Sequence, residues 1–233
     1  MEYVGTELEL FAQAENWKAY IALFLKRYIH GRVLEVGAGI GANIERLAHE
    51  NVMDWLALEP DPRLAAEIGR RLLNGKLPRN CRVVVGTLDD LQDRERFDSI
   101  LYIDVLEHIA EDQAEVVKAS RLLAPGGHLV ILAPAHHFLY SPFDKSIGHF
   151  RRYNIAGLRA LTPSTCHVVR TFMLDSIGFF ISLANRFILR SASPTRAQIM
   201  AWDRCIVPLS RVIDPLTGFR FGKSVIVVWQ AVI

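Results

Sequence analysis

What the chain lacks narrows its identity first. Its 233 residues hold only three cysteines, Cys81, Cys166 and Cys205, odd in number and widely separated. That pattern excludes a disulfide frame and a zinc cluster, and reduced thiols point to a cytoplasmic protein. Charge of one sign is missing too. Lys and Arg total 27 against 25 Asp and Glu, a formal net charge of +2, which offers no general attraction to nucleic acid or to an acidic surface. No apolar run approaches the roughly 20 residues of a membrane span. Glu2, Glu7 and Glu9 precede any apolar stretch, which is wrong for a secretory signal. Internal repeats and low-complexity linkers are absent as well. No metal is expected: His136 and His137 are adjacent and point apart, and no nearby acid has facial-triad spacing.

What is present is a core-forming composition, 51% hydrophobic, ample for one domain. Apolar residues at helical spacing predict a leading helix over residues 8–29. Short buried strands are then expected at 32–39, 54–60, 81–87, 97–103 and 128–134. Helix-length segments at 43–50, 62–73 and 111–123 separate them. This alternation predicts a mostly parallel sheet covered on both faces. A long loop follows at 135–152, then a helix from Asn154, a strand at 166–174, and an apolar stretch from Ile177 to Leu189 that periodicity leaves open between helix and loop. A last strand at 224–233, entered from the turn GFRFGK, is expected to form an antiparallel hairpin with the sixth.

The segment Glu35-Val36-Gly37-Ala38-Gly39-Ile40-Gly41 sits between the first strand and its helix. Glycines there turn the chain tightly and bring backbone amides close to a ligand, which favours a nucleotide-like cofactor. The pattern is GxGxG rather than the GxGxxG of a dinucleotide site, and the acidic Glu35 would repel a pyrophosphate while suiting a cationic ligand. Glu59 ends the second strand, 22 residues after Gly37, where a carboxylate accepts both hydroxyls of a ribose. Asp61 and Pro62 read as the cap and first residue of the next helix.

With these residues in hand, positions 32–134 resemble the core of the class I S-adenosylmethionine-dependent methyltransferases, within the small-molecule group that includes the ubiquinone-pathway enzymes. The resemblance implies a Rossmann-like, seven-stranded, mostly parallel α/β sheet whose last strand is antiparallel, with an acceptor-side insertion after strand five. It implies a single domain over 1–233: a leading helix at 1–30, a cofactor-binding core at 31–134, an acceptor-side loop and helices at 135–221, and a final strand at 222–233. S-adenosyl-L-methionine is the implied cofactor. Glu35, Gly37, Ala38, Gly39 and Gly41 would wrap its methionine part and ribose, and Glu59 with Pro60 would hold the ribose hydroxyls. Leu88 would pack on the adenine and Asp89 accept from its amino group, with Asp90 as competitor and Thr87 where the family often has Asp. Asp104 and Val105, opening Asp104-Val105-Leu106-Glu107-His108, would line the methionine end.

Methyl transfer needs in-line alignment and exclusion of water, and a base only for a poorly acidic hydroxyl or a carbon nucleophile. His108, His137 and His149 are the candidate bases, with His108 read in the first place as a structural residue that holds Glu107 or a loop carbonyl. The loop Pro134–Asn154 lies over the carboxyl edge of the sheet, so His136, Tyr140, Arg151, Arg152 and Tyr153 are candidate acceptor contacts. The two arginines would hold an acidic group or else anchor the loop. The acceptor is expected to be a small hydrophobic or aromatic molecule, methylated at oxygen first, with nitrogen and carbon as alternatives. Aromatics across 172–221 exceed a minimal cap, and an elongated acceptor, a homodimer or peripheral membrane contact near Arg186 and Arg190 would each use them. An NAD-dependent oxidoreductase would need a tyrosine–lysine pattern that Lys118 and Lys145 lack. A noncatalytic binder would have lost the glycines or Glu59. Base-amine methylation of nucleic acid would need an Asn/Asp-Pro-Pro-aromatic tetrad where Asp104-Val105-Leu106-Glu107 stands.

Overall fold

The computed structural model describes residues 7–184 and 195–232. Seven strands form one sheet: β1 (Gly31–Val36), β2 (Val52–Glu59), β3 (Cys81–Val85), β4 (Phe97–Ile103), β5 (Leu123–Pro134), β6 (Cys166–Leu174) and β7 (Ser224–Ala231). Their order across the sheet is β3-β2-β1-β4-β5-β7-β6. The first five run parallel, while β7 lies antiparallel between β5 and β6. Strands buried on both faces read as continuous apolar runs, which is why ILYI in β4 and VIVVW in β7 carry no polar alternation.

Each face of the sheet has its own core layer. On one, Trp55, Leu101, Val130 and Val228 meet Trp17, Tyr20, Ile21 and Leu25 of α2 (Glu15–Leu25). On the other, Leu34, Tyr102, Leu129 and Trp229 meet Val116 and Ala119 of α5 (Asp112–Arg121) and Leu158 of α7 (Ile155–Ala160).

Differences from the sequence expectation have local causes. The leading helix splits into α1 (Glu7–Phe11) and α2, with a short 3-10 turn at Lys26–Tyr28. The second helix has no capping side chain of its own. Buried Asp203 instead accepts from the amides of Asn16 at 3.2 Å and Trp17 at 2.9 Å. The helix after β1 shrinks to α3 (Ile44–Leu47), whereas α4 (Pro62–Leu73) has its expected bounds, capped by Asp61 at the amide of Arg63, 2.8 Å away. Strand β5 begins five residues early, because Leu123 already pairs with Phe97.

The loop after β5 contains a 3-10 turn at His137–Leu139 and α6 (Pro142–Ser146). The apolar stretch opens as α8 (Ser176–Ala184). Its remainder to Leu189, with Arg186, Phe187 and Arg190, lies outside the described residues. Strands β6 and β7 are antiparallel neighbours, yet no tight hairpin joins them. The connection runs through α8, α9 (Arg196–Ala201), a π-helical segment at Trp202–Ile206, and α10 (Val207–Leu216).

Candidate active site

Strand order reverses direction between β1 and β4, the switch point at which open sheets of this kind take ligands in a crevice outside the carboxyl ends of the strands. The glycine turn leaving β1 forms one lip. Gly37, Gly39 and Gly41 all adopt left-handed backbone, at φ +66°, +58° and +72°. A Cβ on Gly37 would stand 2.8 Å from both methyls of Val105, so glycine is required there by space as well as by φ. The amides of Gly37 and Ala38 bond back to the Leu58 carbonyl at 2.8 and 3.2 Å, tying the turn to β2.

Glu59 closes the end of β2 and is almost wholly buried. Its Oε2 accepts from the Gly39 amide at 2.7 Å and its Oε1 from the Asp61 amide at 2.9 Å. Burial raises this carboxyl's pKa, and the two amides oppose the rise. Each oxygen keeps a second acceptor direction, as a ribose diol would need.

Glu35 sits behind the turn rather than at its lip. It is 1% exposed, and its two oxygens accept from Asn43 Nδ2 at 3.3 Å and Trp55 Nε1 at 3.2 Å. Burial lifts its pKa to about 7, ahead of what those two donors take back.

On the adenine side, Leu88 is buried while Asp89 is exposed and pairs with Lys118 at 2.6 Å. Asp90 is engaged elsewhere, accepting from the Thr87 amide at 2.8 Å and hydroxyl at 3.2 Å.

Asp104, the first residue after β4, holds a left-handed φ of +54°, a costly conformation for a non-glycine. Its side chain is exposed. The surrounding protein raises its carboxyl to about 6 by desolvation, and His149, Lys223 and Arg152 oppose that rise.

The three candidate bases have different settings. His137 is exposed. His108 is pushed down to about 4, chiefly by burial and then by His149, while a bond to the Gly148 backbone opposes. His149 has Nδ1 2.9 Å from Asp144 Oδ1 and Nε2 3.8 Å from Glu107 Oε1. Asp144 is the hub of the loop: it also accepts from Arg152 Nε at 2.8 Å and Nη2 at 2.9 Å, and from the Ser141 hydroxyl at 2.7 Å. Burial raises its pKa, but the bonds from His149 and Arg152 outweigh that and hold the carboxyl well below the usual range. Glu107 is fully buried, with its pKa driven well up by burial and then by Asp104.

Of the expected acceptor contacts, His136 faces the aromatic wall. Its ring lies 4.6 Å from Phe179, and Nε2 donates to the Gly222 carbonyl at 3.1 Å. The Tyr140 hydroxyl donates to the His149 carbonyl at 2.6 Å. Arg151 pairs with Asp112 at 2.6 Å, and the buried Tyr153 hydroxyl donates to the same carboxylate at 2.8 Å. These two anchor the loop to the body, while Arg152 braces it from within through Asp144.

Sequence reasoning missed Lys223 and Asp175, and it had Trp202 only as one of the surplus aromatics across 172–221. The Lys223 ammonium stands 4.7 Å over the Trp202 ring, its pKa lowered by burial against the opposing charge of Asp175. Asp175, fully buried, accepts from Trp202 Nε1 at 2.7 Å and the Ser210 hydroxyl at 2.7 Å. Lys223 immediately precedes β7, and because that strand runs antiparallel, as expected, Lys223 lies at the same edge of the sheet as Asp104.

A family of methyltransferase domains matches residues 34–129. The demethylmenaquinone methyltransferase of Tropheryma whipplei (strain Twist) is 30% identical over 202 residues, covering 76% of this chain and 78% of the relative. The chain belongs to the class I S-adenosylmethionine-dependent methyltransferases. Its cofactor is S-adenosyl-L-methionine, and its reaction is methyl transfer to a small molecule. Two solved structures share the methyltransferase fold over nearly the whole chain. NodS of Bradyrhizobium japonicum WM9, in complex with S-adenosyl-L-homocysteine, covers 94% of this chain and 88% of its own at 16% identity and TM-score 0.59. A Haloferax volcanii methyltransferase complexed with its Trm112 activator covers 94% and 91% at 18% identity and TM-score 0.64.

The residues at the crevice fit the methyltransferase cofactor. A cradle of left-handed glycines, one of which a Cβ would fill, faces a strand-end carboxylate with acceptor capacity to spare. Among the described residues no helix is long and apolar enough to cross a membrane.

Proposed function

We propose that this methyltransferase acts on a hydroxyl of an apolar, aromatic small molecule, and that it works in the cytoplasm as one domain over residues 1–233. The observation that carries this reading is the aromatic wall at the carboxyl edge: His136 against Phe179, Phe179 within 5.2 Å of Phe180, and Trp202 beneath the Lys223 ammonium. Exposed Phe138, Phe180, Ile181 and Leu209 extend apolar surface outward from it, a route by which an apolar acceptor arrives. The relative from Tropheryma is named for demethylmenaquinone, which fits an acceptor of this general kind.

In this reading Gly37, Ala38, Gly39 and Gly41 bring backbone to the cofactor, and Glu59 with Pro60 holds its ribose. Leu88 and Asp89 border the adenine, while Asp104 and Val105 border the methionine end. Glu35 acts from behind the turn, fixing it through Asn43 and Trp55. Bound S-adenosylmethionine supplies a methyl group on a sulfonium that is its own leaving group. The protein aligns the acceptor oxygen with that methyl and excludes water. The hydroxyl loses its proton beside the cluster of Glu107, His108 and His149, which borders Asp104. Arg151, Arg152, Tyr140 and Tyr153 hold the loop that carries His149, and His136 stacks on the acceptor.

The test is calorimetric titration with S-adenosylmethionine, S-adenosylhomocysteine and NAD, followed by a screen of phenols, amines and carbon acids with labelled methyl donor. Binding of the first two, lost in Glu59→Ala and absent for NAD, with label in a phenolic ether, is the expected result. Label found only on nitrogen or carbon overturns the oxygen assignment.

A further inference from the structure

The turn after β4 meets the returning loop at one cluster of metal-competent side chains. One ligand atom from each of Glu107, His108 and His149 lies within 4.8 Å of the other two. Glu107 is 0% exposed, and neither of its carboxylate oxygens has a hydrogen-bond partner among the described residues. A buried carboxyl group whose oxygens lack a hydrogen-bond partner is a costly arrangement, in either protonation state, that a folded core rarely leaves unanswered.

The neighbouring histidines do not answer it. The Asp144 carboxylate is forked by Arg152 and can only accept, so His149 donates to it through Nδ1. In the neutral ring Nε2 then carries a lone pair, 3.8 Å from Glu107 Oε1. His108 is held through the Gly148 backbone, and its ring meets that of His149 edge-on at a centroid distance of 4.5 Å. At 3.8 Å the His149 nitrogen and the Glu107 carboxyl face one another too far apart to satisfy each other by a hydrogen bond.

We propose that Glu107, His108 and His149 bind a divalent first-row transition-metal ion beside Asp104. Two imidazoles and one carboxylate suit zinc, manganese, iron or cobalt rather than magnesium or calcium, which prefer all-oxygen shells. Small side-chain rotations bring the three ligands to the distance of about 2.0–2.2 Å at which such ions are held. Asp144 and the Gly148 backbone play the part of outer partners that fix imidazole orientation at metal centres. The ion can enter, since the His149 side chain is 10% exposed, and it keeps coordination positions for solvent or an acceptor oxygen. A hydroxyl bound there loses its proton at a lower pH; that role rests on the oxygen-methylation reading, whereas metal binding itself does not. Sequence spacing concealed the set, because Glu107 and His108 are adjacent and His149 follows 41 residues after His108.

Untagged protein stripped with chelator and dialysed is titrated with Zn²⁺ by calorimetry and with Co²⁺ by visible absorption. One equivalent of Zn²⁺ and ligand-field bands distinct from aqueous Co²⁺ are expected. Glu107→Gln and His149→Ala, checked by circular dichroism and by S-adenosylmethionine binding, should each weaken Zn²⁺ by about 100-fold or more. His167→Ala, on the exposed side of β6, should bind as the wild type does. Substoichiometric zinc, an aqueous cobalt spectrum in the wild type, or undiminished affinity in either folded variant overturns the proposal. The cobalt spectrum needs no variant to fold. A failed metal titration leaves cofactor binding and the acceptor screen intact, and a failed acceptor screen leaves the metal result standing.

Discussion

Glu35 illustrates how a single buried charge ties stability to pH. Its carboxyl is held at about 7 in the folded chain against an ordinary value of 4.5. Below the ordinary value it is protonated whether the chain is folded or not, and burial costs nothing extra. As pH rises through about 7 the folded chain must carry the charge, and the stability present at low pH is lost. A glutamine does not titrate. The stability of Glu35→Gln relative to the wild type is therefore expected to rise by about 2–3 kcal/mol between pH 4 and pH 8. Urea denaturation at several pH values reads this difference, and a flat one would contradict the assignment. The sequence displayed Glu35 and its glycines plainly, since a strand running into GxGxG has few other uses. It could not display Trp55 as the partner, because that contact exists only in the register that pairs Glu35 with Ala57.

At the scale of elements, the loop between β5 and α7 is held by one carboxylate. Asp144 joins the Ser141 cap of α6, the Arg152 fork and the His149 ring, and it is 1% exposed. Removing a partner from such a buried ionic group typically costs about 3–5 kcal/mol. Asp144→Ala is expected to lose stability of that order and to open residues 141–152 to limited proteolysis ahead of global unfolding. Unchanged protection of the loop would show that Arg151 and Tyr153, anchored on Asp112, suffice alone. Why this loop looked in sequence like the wall of a pocket is now clear in physical terms. Its histidines and arginines are chemically suited to a substrate, but a five-residue helix gives no periodicity to show which of them turn inward upon one another. Helices with strong local signals were legible to the residue, as α4 was from Asp61-Pro62 onward. Helix α2 borrows its cap from Asp203, far along the chain, and no local signal marks where it begins.

For the whole molecule, the alternation of apolar runs and helix-length segments was enough to read β1 to β5 and the crevice between β1 and β4. The antiparallel pairing of β7 with β6 was anticipated, but its place between β6 and β5 was not legible locally, because an all-apolar strand says that it is buried without naming both neighbours. Its position carries a further meaning for how the protein is made. Strand β7 is the last of the seven to be synthesised, yet it lies inside the sheet and, among the described residues, is the strand that joins β6 to β5. A nascent chain halted before Ser224 thus has five strands able to assemble while β6 lacks the strand that joins it to the sheet, although the helices after it can already meet α2 through Asp203 and Asp214. Ribosome-stalled chains ending near residue 222 are expected to yield a protease-resistant fragment ending close to Pro134, and resistance extending through β6 would refute this order of events. On the proposed division of roles, the half that greets the acceptor is built last, so a chain still leaving the ribosome would have its cofactor cradle in place before the side that receives the acceptor.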